Sequence, residues 1–228
     1  MGLLDSILGR SRPVRPDLDR LFALPAAALT LRAGTGLVPT GTGSVCFAGV
    51  EGAAFTRLRE EVRELLDLDG AGAGAAFSRD AYGYTWLVAR RPADDLVALV
   101  TDLHAVNALL EEAGFGPQLL CSLTVFRAPD ADPGPDPRPP GEEPGSGTET
   151  GSGPGTGGDA AGRLALVYLY KRGTFYPFAP RAARPGGGGA ERRDGALELQ
   201  VRGLLAGDLP VEPDLERWFP VWGAPGLG

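Results

Sequence analysis

Residues 164–180 read LALVYLYKRGTFYPFAP, and the alternation inside them decides the architecture. Leu164, Leu166, Tyr168 and Tyr170 fall on one side of an extended chain, and Ala165, Val167 and Leu169 fall on the other. Both sides are apolar, as in a central strand covered on two faces. Lys171, Arg172 and Gly173 then supply a polar turn, and Phe175, Tyr176 and Phe178 return as a second strand with Pro177 at its edge. A purely structural reading makes this the best-defined hairpin of the chain. A second reading makes Lys171, Arg172, Phe175, Tyr176 and Phe178 a partner-contact patch, because a basic turn beside aromatics that cannot all be buried suits a protein interface.

Upstream, QLLCSLTVF (118–126) is a further strand. Phe126 and Arg163 read as the two sides of an antiparallel hairpin whose turn is lengthened by about thirty residues, which loop-closure entropy penalises only weakly. That insertion, 128–162, contains no Leu, Ile, Val or aromatic residue and is built from Pro, Gly, Ser, Thr and acids. It has nothing to bury against the entropy of ordering, so it is expected to be disordered. It carries seven acidic residues against Arg138, a local balance of −6 out of the formal −7. The rest of the chain is therefore close to neutral, and a broad basic face for nucleic acid is not expected.

The remaining elements follow from periodicity and turn signals. GLLDSILGR near the start places Leu4, Ile7 and Leu8 at helical spacing and is followed by Arg10, Arg12 and Arg15, a short amphipathic helix with a basic tail. DLDRLFAL (17–24) predicts a second short helix, whereas AALTLRA (27–33) and GSVCFAGV (43–50) read as strands. GAAFTRLREEVRELLDLDG (52–70) carries Phe55, Leu58, Val62, Leu65 and Leu66 on one stripe of a helix. AFSRDAYGYTWLVARR (76–91) predicts one or two strands, PADDLVALVTDLHAVNALLEEAGFG (92–116) a helix stopped by Gly114, and ALELQVRGLL (196–205) another. VEPDLERWFPVWGAPG (211–226) predicts a short helix and an aromatic cluster of Trp218, Phe219 and Trp222.

The expected class is α+β, an antiparallel sheet with helices packed on one face. Each half has a helix-then-hairpin grammar, which leaves room for two similar halves. The expected organisation is an amphipathic helix and basic linker over 1–16, one domain assembled from 17–127 and 163–228, and the disordered acidic insertion 128–162.

No catalytic constellation emerges from the residue types. His104 is the single histidine and reads as structural or superficial, since one imidazole cannot build a multi-histidine metal site. Cys46 and Cys121 sit in apolar strand runs and read as buried thiols without metal or redox spacing. A hydrolase built on Cys121 and His104 requires the two to meet at an exposed point. The glycine runs lack the spacing of a phosphate-binding loop, and the pairs Glu60/Glu61, Asp94/Asp95 and Glu111/Glu112 are sequence neighbours that point in different directions on helices. No cofactor and no metal are expected. No stretch reaches the length of a transmembrane helix, so a cytoplasmic location is expected.

The opening MGLLDSILGR, the middle TDLHAVNALLEEAGFGPQLLCSL (101–123), the 164–180 hairpin and the ending LPVEPDLERWFPVWGAPGL (209–227) together resemble the PspA-associated protein PspAB family of actinobacteria and archaea. The resemblance covers nearly the whole chain outside the insertion and the glycine loop near 185. It implies a place beside PspA, the membrane-binding coiled-coil protein of the phage-shock envelope-stress response, and beside the membrane protease HtpX. It carries no catalytic assignment, so no residue inherits a role. The expected function is a non-enzymatic adaptor of that response acting through protein contact. The alternative is a peripheral sensor at the inner face of the membrane, with Leu3, Leu4, Ile7 and Leu8 inserted and Arg10 and Arg12 on lipid headgroups.

Overall fold

The computed structural model describes residues 16–49, 52–67, 75–129, 162–181 and 192–227. The segments 1–15 and 130–161, which hold the expected N-terminal helix and nearly all of the acidic insertion, lie outside the described residues.

A 3-10 turn over Leu18–Ala23 runs directly into helix α1 (Leu24–Thr35). Here the structure corrects the sequence reading, because the expected strand 27–33 is helical. Pro25 in the first turn pre-sets a helical φ, the alanines carry the best helix propensity, and Gly36 at φ +78° closes the end. Leu24, Ala27, Ala28 and Leu31 form its buried stripe.

Strand β1 (Val38–Phe47) is followed by α2 (Ala53–Asp67), β2 (Ala76–Arg79) and β3 (Thr85–Arg90). Helix α3 (Leu96–Glu112) begins where the Asp95 carboxylate accepts from the Ala98 N–H at 3.0 Å. It ends at Gly114, φ +86°. Strands β4 (Leu119–Arg127), β5 (Arg163–Leu169) and β6 (Thr174–Phe178) form a meander, and a two-residue ribbon of β7 (Pro180–Arg181) and β8 (Arg192–Arg193) leads to α4 (Gly195–Leu205). The chain closes with a 3-10 turn, Leu215–Arg217, and an irregular stretch to 227.

The main sheet has the order β2-β3-β1-β4-β5-β6, and every pairing is antiparallel. Each half of the chain contributes three contiguous strands, which meet at β1 and β4. The four helices of the described residues all contribute to a first core on one face, with Leu164, Leu166, Tyr168 and Tyr170 of the β5 region among its members. Ala165 and Val167 enter a second core on the opposite face, roofed by Trp218, Ala224 and Leu227. The two-sided alternation read in 164–170 is thus realised residue by residue. Gly43 lets α3 lie directly on β1, since a Cβ there would sit 3.0 Å from Leu103 Cδ1 and 3.2 Å from Leu99 Cδ1.

The insertion leaves the sheet at a closed ladder end. Arg127 pairs with Arg163, and the Ala128 N–H donates to the Gly162 carbonyl at 3.0 Å. Replacing 131–159 by a short Gly-Ser turn is expected to leave the melting temperature unchanged or raise it slightly. Each halving of loop length relieves only about 0.6 kcal/mol of closure entropy. Calorimetry checks this, and a large fall in the midpoint would show that the segment packs against the domain.

Candidate functional site

The five hairpin residues singled out from the sequence do not share one environment. Lys171 is exposed and Arg172 half-buried, at a turn closed by Arg172 and Gly173 N–H groups donating to the Leu169 carbonyl at 3.1 and 2.9 Å. Gly173 takes φ +64°, and Arg20 Nη1 donates to its carbonyl at 2.6 Å. Phe175, Tyr176 and Phe178 are 1%, 1% and 0% exposed, so the reading that returns them to the core holds and the partner-patch reading is corrected for these three.

The cover comes from far downstream. Phe175 N–H donates to Pro210 O at 2.9 Å and Glu212 N–H to Phe175 O at 2.7 Å, which adds a short extra rung outside β6. Tyr168 packs on Phe175 in the first core, while Tyr176 stacks on Trp218 and donates its hydroxyl to Phe219 O at 2.8 Å in the second. Phe178 meets Trp222 edge-on, with the Arg193 guanidinium 5.1 Å from its ring centre.

Arg172 has a structural task. Its Nε donates to Glu212 Oε2 at 2.6 Å and its Nη2 to Oε1 at 3.3 Å, while Thr174 Oγ1 donates to Oε2 at 2.7 Å. Glu212 is fully buried, and burial alone would raise its carboxyl. The hydrogen bonds from Arg172, Thr174 and the Asp214 N–H outweigh that and hold it below its ordinary value.

An exposed apolar surface with a groove lies elsewhere, around α4 and the chain's last described stretch. Leu199 and Leu215 are 52% and 50% exposed and line a groove of about 360 Å3 with Arg193, Gly195, Glu198 and Trp218. Phe219, next to Trp218, is 58% exposed. The groove floor is charged and mostly paired: Arg193 Nε donates to Glu198 Oε1 at 3.0 Å, the same oxygen accepts from the Ala179 N–H at 2.8 Å, and Arg193 Nη1 donates to Trp218 O at 2.5 Å, while Arg193 Nη2 is buried without a partner among the described residues. Such a surface offers apolar contact around a fixed polar centre. The sequence pointed to Trp218, Phe219 and Trp222 as a cluster, but Leu199 gave a signal only through its position off the buried Glu198, Val201 and Leu205 stripe of α4.

The remaining candidates are placed apart. Cys46 and Cys121 face each other across β1 and β4 in the second core, 3% and 7% exposed, and hydrogen bonding to Cys121 together with burial pushes the Cys46 thiol far above its usual range. His104 belongs to α3 on the other side of the sheet, where its Nε2 lies 3.2 Å from Asp19 Oδ1 and its ring 4.8 Å from that of Phe22. The sheet separates Cys121 from His104, so they are not a nucleophile pair. Leu3, Leu4, Ile7, Leu8, Arg10 and Arg12 lie outside the described residues. Among the described residues no helix is long and apolar enough to cross a membrane.

The family model described as PspA associated protein B matches residues 1–226. The chain belongs to that family. The matched span takes in every described element of this PspAB-family chain, from the 3-10 turn at Leu18 to the one at Leu215–Arg217, and both sides of the insertion. No curated protein and no solved structure matches the chain.

Proposed function

We propose that this PspAB-family chain is a non-enzymatic adaptor that acts by direct contact with a PspA-type coiled-coil protein in the envelope-stress response. HtpX is a second partner in this reading. The observation that carries it is the family match over residues 1–226, whose description ties the family to PspA. The groove beside α4 supports it, because exposed Leu199, Leu215 and Phe219 around a paired Arg193–Glu198 centre suit the apolar stripe of an amphipathic helix.

Capture of purified PspA by the immobilised full chain tests the reading. The double substitution Leu199→Asp with Phe219→Asp is expected to weaken capture roughly tenfold or more, as loss of apolar anchors does, while the circular dichroism spectrum stays unchanged. Absence of PspA capture by the unaltered chain sinks the proposal. If vesicles of anionic lipid retain the chain instead, and removal of residues 1–12 releases it, the peripheral-sensor reading built on Leu3, Leu4, Ile7 and Leu8 replaces it.

A further inference from the structure

The edge of the sheet opposite the α4 groove carries a different kind of opening. Between α2 and the β2–β3 hairpin lies a cavity of about 240 Å3 lined by Gly49, Phe55, Arg59, Phe77, Arg79 and Thr85 among others. Its floor is aromatic, with Phe55 and Phe77 edge-to-face at 6.5 Å between ring centres. Two guanidinium groups gather on that floor, Arg59 at 4.6 Å and Arg63 at 5.6 Å from the Phe77 centroid. A third, Arg79, reaches the wall beside Gly49, where a Cβ would lie 3.1 Å from Arg79 Nη2.

The Arg59 Nε–H is buried and has no hydrogen-bond partner among the described residues, while the side chain as a whole is half-buried. A buried charged donor without an acceptor is costly, and such groups in folded proteins are nearly always satisfied. Among the described residues no carboxylate lines the cavity, although the chain as a whole is acidic at −7. The Arg59 guanidinium lies over the Phe77 ring, and the half-buried side chain also lines the cavity, where the guanidinium fork suits a planar oxyanion at the rim of the ring.

We propose that this cavity binds a small carboxylate carrying a flat apolar ring, with Arg59 donating to the carboxylate and Phe55 and Phe77 packing on the ring. The aromatic floor selects the ring, and the Arg59 guanidinium lining the cavity selects the negative charge. The inference does not rest on the adaptor reading, since α4 and its groove adjoin β6 at the far end of the strand order.

Titration of the full-length chain with benzoate, followed through the arginine Nε–H resonances by nuclear magnetic resonance, tests it. Benzoate is expected to shift the Arg59 resonance saturably, and neutral benzamide is expected to shift it far less. Arg59→Met, which keeps an apolar stem over Phe77, should weaken benzoate binding at least tenfold, whereas Arg57→Met on the exposed side of α2 should leave it unchanged. Should Arg59→Met fold poorly, Arg59→Lys keeps the charge and removes the fork, and weaker binding by severalfold is expected. No Arg59 response to benzoate, a response to inorganic phosphate alone, or equal binding by the Arg59 variants overturns the proposal. PspA capture is measured separately, so either reading can fail without the other.

Discussion

Gly41→Ala is expected to lower the unfolding free energy by about 4 kcal/mol, the sum of a strained backbone and a forced overlap. Gly41 sits buried inside β1 with φ +78°, at the irregularity where β1 changes register against β4 between Pro39 and Gly43. An L side chain in this left-handed region costs about 1–2 kcal/mol. A Cβ at this position would also run into the backbone carbonyl oxygen of Arg91. That segment is not free to retreat, because the Arg91 N–H donates to Gly41 O at 2.9 Å and the Arg91 guanidinium holds Asp102 of α3 through bonds of 2.6 and 2.8 Å. Thr40 fills the gap in the ladder by donating its hydroxyl to Val125 O at 3.0 Å. Urea unfolding followed by far-ultraviolet dichroism checks the value; a loss below about 1 kcal/mol would mean that the bulge relaxes into an ordinary strand.

Glu212→Ala is expected to cost about 3 kcal/mol, the lower end for breaking a buried ion pair, because Arg172 retains partial access to water. The same carboxylate joins the β5–β6 turn to the segment that covers Phe175, so its loss releases an edge as well as a charge. Because the folded-state carboxyl is held below its ordinary 4.5, its contribution is complete above that pH and is lost as the pH falls through the lower folded value. The unaltered chain should therefore lose stability below pH 4.5 more steeply than Glu212→Ala, and the two curves should converge in acid. Parallel curves would show that the carboxylate contributes no pH-linked stability.

The sheet was legible wherever a strand's two faces differ from their flanks in a local pattern. The alternation in 164–170 reports two cores because each residue's side is set by its own backbone. Helix α1 was misread for the same reason, since Leu29, Thr30 and Leu31 mimic a half-buried strand, yet Leu29 is 72% exposed and Leu31 buried on a helical spacing shared with Leu24 and Ala28. Only the partner-patch reading of the aromatic hairpin failed, because its cover, Pro210 to Trp222, arrives more than thirty residues later, where no local pattern announces it. The Arg59 cavity was illegible because Arg59 looks like one charge among several on α2, and only the tertiary approach of Phe77 gives its guanidinium an aromatic plane.

The insertion between β4 and β5 touches the order of folding more than the depth of the native well. Residues 127 and 163 meet only after a long acidic chain has closed on itself, an entropy incurred before the ladder between the two strands returns anything. The β5–β6 hairpin needs only Tyr170 to Gly173 to close and carries no such delay. The insertion's length thus sets how late the β5–β6 hairpin joins β4.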